Sequence, residues 1–481
     1  MTVSLHPVGD GTGESSGNSV GHGMTSHAHL PRVGGCALPD TPLAAAAAGL
    51  DACVHCGFCL QACPTYVNLE DENDSPRGRL VIMRRMLEGE LALDDPDAGT
   101  HLDRCLGCRA CETACPSGVP YGELLEATRA TMAPVRGVPI VARVVLGVFA
   151  RRGLLRAALF AARALRATPL PRFFARVLPP RLAFPFAMLS STTSALGTPR
   201  GRDVKPQPPI ASALDASAAA TSAVPASAVS ASVVLLEGCV MHGLFGHVND
   251  ATARVLGENG YTVAGSPGQH CCGALHAHAG DLEGARKLAR LNIAAFETAA
   301  EQAGVTRIAI NSAGCGAMIK GYGHLLHEDA AWSARAERVS AMAADISELL
   351  ADAGPRAGAA VPLRVTHDPP CHQMHAQRVV RQPIAVLNRV PGLELVPLED
   401  ADQCCGSAGI YNLVEPDTSD AVLAPKLACI ADTGASYVAT GNPGCMMQIG
   451  AGLLRSGSTA RVVHPVELLD ASYRAERSGS S

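Results

Sequence analysis

Aromatic side chains are scarce in this chain: they make up 4 % of 481 residues, and Trp occurs once. Proteins that hold single-stranded nucleic acid stack its bases on aromatic platforms, so the shortage argues against that class. Charge argues the same way, since the formal net charge is −5 and the pI is near 6.4. Long apolar runs are missing too. No window reaches roughly 18 apolar residues without a charge, so no membrane-crossing helix is expected. The start of the chain, Met1-Thr2-Val3-Ser4-Leu5-His6-Pro7, lacks the basic and apolar segments of an export signal. Without export, the 18 cysteines are expected to be metal ligands in a reducing cytoplasm rather than disulfides.

Eight of those cysteines form two identical runs, Cys53-x2-Cys56-x2-Cys59-x3-Cys63-Pro64 and Cys105-x2-Cys108-x2-Cys111-x3-Cys115-Pro116. This is the bacterial ferredoxin spacing for cubane 4Fe–4S clusters, present twice. Two intervening residues let the backbone curl so that three thiolates reach three corners of one cube. The fourth cysteine, followed by Pro, points away and serves the other cluster. The spacing therefore predicts one cluster on Cys53, Cys56, Cys59 and Cys115, and a second on Cys105, Cys108, Cys111 and Cys63. Zinc sites are built from two Cys-x2-Cys pairs, to which a third cysteine in register is surplus.

Composition divides the rest of the chain. Residues 1–40 are rich in Gly, Ser and His and are expected to be a disordered tail. Gly9, Gly11 and Gly13 imitate a nucleotide loop but follow no strand, and Cys36 is not expected to be a ligand. Residues 41–134 hold the two cluster runs. Helices are expected at Ala44–Ala52, at Leu80–Leu91 with Leu80, Met83, Leu87 and Leu91 on one face, and at Gly122–Met132. From Ala127 to Arg202 there is no acidic residue. Residues 135–194 thus read as a basic amphipathic helical connector, chopped by Pro134, Pro139, Pro169 and Pro171. Such a connector packs on its own protein or a partner, the reading we favour, or lies against anionic lipid. Residues 195–232 are a Pro/Ala/Ser linker.

The remainder repeats with a period of about 130 residues. Cys239, Cys271-Cys272-Gly273 and Cys315 are echoed by Cys371, Cys404-Cys405-Gly406 and Cys445. Each copy, 233–355 and 360–472, alternates strands with helices, which predicts a mostly parallel α/β sheet with its cysteines at the strand ends. In the first copy, strands are expected at Val233–Cys239, Tyr261–Ala264 and Arg307–Asn311, and helices at Ala251–Asn259 and Gly284–Ala303. His276, His278, His372 and His375 lie near these cysteines and are expected to make hydrogen bonds rather than to ligate.

The repeated Cys…Cys-Cys-Gly…Cys pattern resembles the paired cysteine-rich domains of the heterodisulfide reductase B-subunit group. Behind two ferredoxin runs, the whole resembles the iron–sulfur subunit of bacterial glycolate oxidase. The closer likeness rests on Cys53-Val54-His55-Cys56-Gly57-Phe58-Cys59, Pro76-Arg77-Gly78-Arg79, Cys111-Glu112-Thr113-Ala114-Cys115-Pro116, Leu236-Glu237-Gly238-Cys239 and Cys404-Cys405-Gly406-Ser407-Ala408-Gly409. It spans residues 45–470. One departure stands out. The reductase group ends each copy in Cys-x2-Cys, whereas here Met318 and Gln448 follow Cys315 and Cys445. Four cysteines per copy leave open a cubane cluster, zinc, a redox pair or no metal.

The resemblance implies an α+β multidomain chain: a helical ferredoxin-like domain, a helical connector and two duplicated α/β cysteine-rich domains. It implies an electron-transfer subunit whose flavin partners oxidise glycolate to glyoxylate and whose electrons go to a membrane or quinone-type acceptor. A cluster carries single electrons and cannot accept a hydride, so FAD is expected on the partner subunits only. Alternatives are the iron–sulfur subunit of a lactate or glycerol-3-phosphate dehydrogenase, or a self-contained disulfide or quinone reductase. The expected location is cytoplasmic, with peripheral contact to the inner membrane face left open.

Overall fold

The computed structural model describes residues 36–196 and 231–479. The tail with its three glycines and most of the linker lie outside them. In the cluster domain, a helix runs Pro76–Leu87. Ser75 caps it by accepting the Gly78 N–H at 2.9 Å, and Pro76 fills the first turn, where no N–H is needed. Gly78 is required there, because a Cβ would stand 2.0 Å from the Glu72 carbonyl. Leu80, Met83 and Leu87 enter the domain core as expected, but the helix starts four residues early and Leu91 lies past its end. The expected Ala44–Ala52 helix is two short turns, Pro42–Ala45 and Ala48–Asp51. Pro134 does not break its helix, which runs Tyr121–Arg136. Sitting in the last turn, Pro134 removes only one ladder bond.

The connector is four helices, Ile140–Ala150, Arg152–Arg166, Leu170–Val177 and Pro180–Ser190. Pro139 and Pro169 stand at N-caps, as the sequence leads one to expect. Among the described residues no single helix is long and apolar enough to cross a membrane.

Each cysteine-rich copy is a four-stranded, all-parallel sheet. The first comprises β1 (Ala231–Leu235), β2 (Tyr261–Ala264), β3 (Arg307–Ile310) and β4 (Ala343–Asp345), in the order β2-β1-β3-β4. The second comprises β5 (Arg364–His367), β6 (Glu394–Val396), β7 (Tyr437–Ala439) and β8 (Arg461–Val463), in the order β6-β5-β7-β8. The two orders are the same, as duplication demands. The edge strands β4 and β8 were not expected; each is three residues long, and β4 reads Ala-Ala-Asp, too short to show a period of two.

The copies pack as a pseudo-dimer within one chain. Helix Gly246–Glu258 of the first packs on the last helix of the second, Pro465–Gly479. Its counterpart Arg381–Leu387 packs on the last helix of the first, Ile346–Ala353. The same pair of faces is used twice, the hallmark of an isologous contact. Val233 and Val255 of one copy share a core with Leu468 and Tyr473 of the other. Arg254 forks onto Asp470 at 2.8 and 2.9 Å across the seam.

Candidate iron–sulfur centres

The two cluster loops reach the same curl with different residues. Left-handed backbone occurs at His55 and Gly57 in the first, and at the matching Gly107 and Arg109 in the second. The turn around a cube thus needs two positive-φ residues, and only one of each pair is a glycine. Cys53, Cys56, Cys59 and Cys115 line one cavity, to which Cys111 also contributes. Cys63, Cys105, Cys108 and Cys111 line another. The fourth cysteine of each run therefore stands by the other run. Electrostatics agrees with the geometry. Burial, then Cys53 and Cys115, push the Cys59 thiol up to about 11. Burial, then Cys108, Cys105 and Cys63, push up Cys111. All the cysteines among the described residues are free. Two cavities on curled loops, the first faced by five thiols and the second by four, with Cys111 shared, offer enough thiols for two 4Fe–4S clusters.

Arg79 closes the Pro76-Arg77-Gly78-Arg79 phrase. In the fold it is fully buried and bonds Asp74 at 3.1 Å, Thr65 at 3.0 Å and the His101 carbonyl at 2.7 Å. Its guanidinium also reaches the Cys63 sulfur at 3.9 Å. Burial would weaken its hold on the proton, but Cys105, Tyr121, Cys63 and Asp74 outweigh that and keep it charged. A cube with four thiolates is a buried anion, and a fixed cation beside it offsets the cost.

In the first cysteine-rich copy, Cys239 ends the segment after β1, Cys271 and Cys272 precede a short helix, and Cys315 sits in the first turn of helix Ala313–Lys320. Cys239 and Cys271 sulfurs lie 3.6 Å apart, and Cys272 hydrogen-bonds both Cys271 and Cys315. Hydrogen bonds from Cys239 and Cys272 pull Cys271 well below its usual range. In the second copy, hydrogen bonds join Cys371 to Cys404, Cys404 to Cys405, and Cys405 to Cys445. Each set of four is gathered in space. Cys36 is exposed, and Cys429 lies in helix Pro416–Asp432, away from the strand ends that carry the set.

The second set also touches the ferredoxin part. Leu106, Cys108 and Ala110 share a buried cluster with Cys404, Tyr411 and Val422, and Cys371 packs against it. Met318 and Gln448 take no ligand role at the fifth positions. Gln448 is buried with its amide bonded to Ser419 and Asn412 at 2.9 and 2.8 Å, and Met318 packs in the first core. His375 and His278 make side-chain hydrogen bonds, whereas the buried Nδ1 of His276 has no partner among the described residues. His375 Nδ1 meets Thr113 at 2.9 Å, His278 Nδ1 meets Glu126 at 2.8 Å, and buried His276 lies 4.0 Å from Asp281. His372 instead stacks on His278.

Comparison with known proteins gives this arrangement its class. A 4Fe-4S dicluster domain model matches residues 49–119, and a cysteine-rich domain model matches 233–320 and again 365–450. The chain is thus an iron–sulfur protein carrying a dicluster domain and a duplicated cysteine-rich domain. It is 34 % identical over 433 residues to the "Probable glycolate oxidase iron-sulfur subunit" of Bacillus subtilis, covering 87 % of this chain and 92 % of that one. Against the glycolate oxidase iron-sulfur subunit of Escherichia coli it is 34 % identical over 431 residues, 89 % and 95 % of the two chains. Lactate utilization protein A of Geobacillus kaustophilus is 31 % identical over 235 residues, 48 % of this chain and 96 % of that one. The chain belongs to the family of glycolate oxidase iron–sulfur subunits.

Proposed function

We propose that this chain is the electron-transfer subunit of a glycolate oxidase complex. Flavin-bearing partner subunits oxidise glycolate to glyoxylate, and this chain carries the electrons toward a membrane or quinone-type acceptor. The ligands are Cys53, Cys56, Cys59 and Cys115 for one 4Fe–4S cluster, and Cys105, Cys108, Cys111 and Cys63 for the other. When bound, the clusters supply one-electron steps that a flavin can feed. The observation that carries the reading is the crossed meeting of the runs, Cys115 beside Cys59 and Cys63 beside Cys111. It supports two donor sets in one fold, side by side, as a wire requires.

The chain's own residues set the polarity of that wire. The first loop is the open end: Val54 and Phe58 are 66 % and 68 % exposed beside exposed Cys56. An apolar, accessible loop is where a partner subunit docks. The second loop is buried against Cys371 and Cys404. The two cysteine-rich sets are further metal sites, for iron–sulfur or for zinc. Location follows from the partners: cytoplasmic, at the inner membrane face. The half-length likeness to lactate utilization protein A keeps lactate as the second candidate substrate.

The test is the reconstituted complex. The iron-loaded chain alone is expected to show no glycolate oxidation with an artificial acceptor, and addition of the co-purifying flavoprotein should restore it. Turnover by the flavin-free chain would overturn the reading. Bleaching of the partner's flavin by lactate and not by glycolate would move the assignment to the lactate branch.

A further inference from the structure

The two cluster cavities share a wall, since Pro76, Cys111 and Tyr121 line both. The sites on its two sides differ in exposure. Cys56 is exposed and Cys53, Cys59 and Cys115 are partly buried, whereas Cys63, Cys105, Cys108 and Cys111 are all buried. Each electron taken up by a cubane held by four thiolates adds a negative charge, and burial makes that charge more costly. On burial alone, an electron would rest at the open site, and the step inward would run uphill.

The chain places positive charge and donors on the buried side. Arg79 is fully buried, with its guanidinium 3.9 Å from Cys63 Sγ. It shares Asp74 with Arg104, at 3.1 and 3.0 Å, so two guanidinia face one carboxylate and a positive charge is left over. Tyr121 is 3 % exposed, and its hydroxyl donates to Cys105 Sγ at 3.6 Å. The Gly107 N–H donates to the same sulfur at 3.4 Å. Fixed donors and charge beside the sulfurs raise a cluster's reduction potential, because they favour its more negative state.

The open side has weaker means. Cys59 is hydrogen-bonded by backbone N–H groups, its own and that of Arg77. The Arg77 guanidinium is partly exposed and is spent on Glu72 at 2.8 Å and on the His55 carbonyl at 3.3 Å. Water screens a charge so placed far more than it screens Arg79. The offset that carries Cys53 to Cys105 carries Leu69 to Tyr121, so the first run has an aliphatic side chain where the second has a hydroxyl.

We propose that Arg79 and Tyr121 are positioning residues that lift the reduction potential of the buried second-run cluster above that of the open first-run cluster, so that electrons pass inward. This rests on the electron-transfer reading above and adds its direction. In the step, the reduced first-run cluster gives up one electron and the oxidised second-run cluster gains it. No proton is exchanged, because Arg79 and Tyr121 keep theirs in both states. Tyr121 acts from the shared wall: its ring stands beside both sites, while its O–H favours only the inner one.

The test is a potentiometric titration of the iron-loaded full chain with dithionite, followed by EPR, and it needs neither glycolate nor the flavin partner. The wave that Cys63→Ser removes belongs to the second-run cluster, and in wild type it should lie above that of the first. Tyr121→Phe keeps the ring and removes the donor. It should make the second-run cluster about tenfold harder to reduce relative to the first, or 59 mV for a one-electron couple, and leave the first-run wave in place. Arg79→Gln should move the same wave further in the same direction. Iron analysis shows which variants loaded both clusters, and if Arg79→Gln did not, Tyr121→Phe decides alone. A wild-type second-run wave below the first would overturn the proposal. So would a second-run wave that Tyr121→Phe shifts by less than about twofold, or an equal shift of both waves, which is what a merely structural change gives. Failure of the glycolate reading shows separately, as glycolate that does not reduce the clusters in the complex.

Discussion

The two cysteine-rich copies share a sheet order and a cysteine set, yet their buried surroundings are built from opposite materials. Three residues before Cys239 stands Leu236, and three before Cys371 stands Asp368. The offset of the Cys-Cys pairs places Ile293 opposite Lys426. In the first copy Leu236 and Ile293 are buried in one apolar core. In the second, Asp368 and Lys426 form a buried ion pair at 3.2 Å. Asp368 also accepts from Thr440 at 3.1 Å, and Lys426 donates to the carbonyls of Asp400 and Ala401. Asp368, together with the Cys405 and Cys404 thiols, keeps Lys426 protonated in spite of burial. A fold that packs well with two aliphatic side chains does not need an ion pair for stability. The copy that carries the buried cation is also the copy packed against Cys108. The difference teaches that the duplicated copies have diverged: the second buries an ion pair close to its cysteines, where the first packs two aliphatic side chains.

The largest expected effects concern the wire itself. Cys115→Ser should cost the cluster of the first run and Cys63→Ser that of the second, each a loss of about four irons from the eight that two cubanes hold. Spectra in which each substitution damages only its own run would contradict the crossed assignment. Next comes the comparison between copies. Cys371→Ser should alter the spectrum of the second-run cluster and lower electron transfer roughly 10- to 100-fold. Cys239→Ser in the first copy should leave that spectrum unchanged. Equal effects from both would remove the distinction drawn here.

The ion pair can be exchanged for its counterpart. Lys426→Ile alone leaves Asp368 buried and unpaired and should destabilise by about 3–5 kcal/mol in denaturant unfolding. The double change Asp368→Leu with Lys426→Ile, which copies the first domain, should recover most of that loss. If it also leaves electron transfer at the wild-type rate, Lys426 has no part in holding charge. The smallest effect is a pH dependence at the seam. Burial raises Glu467 to about 7 from an ordinary 4.5. The folded chain then keeps a proton that the unfolded chain releases in that window. Stability is full below about pH 4.5 and is lost as pH rises to about 7, by roughly 3 kcal/mol. Glu467→Gln should flatten that slope in thermal unfolding followed across the same range.

The cluster runs were legible because metal geometry writes itself into local spacing. The duplication was legible because three cysteine motifs repeat at nearly one offset. What escaped is non-local. Arg79 owes its role to burial against Cys63, and Lys426 to burial against Asp368, neighbours that only the fold supplies. The helix start at Pro76 was missed because the apolar positions begin at Leu80, while the true signal was Ser75 followed by Pro76, a cap and a first-turn proline. The exchange of last helices between the copies leaves no local trace at all, since Gly246–Glu258 reads as an ordinary amphipathic helix whichever copy it packs on.

Electrons from glycolate are predicted to reach the clusters held by this chain's own cysteines. The direct measurement is low-temperature EPR of the anaerobic complex, before and after glycolate, on wild type and on Cys115→Ser. Wild type should develop the spectrum of two interacting reduced 4Fe–4S clusters on addition of glycolate, and Cys115→Ser should lose both the interaction and the signal of the first-run cluster. Glycolate that is turned over at the full rate while the clusters of this chain stay oxidised and unperturbed would contradict it.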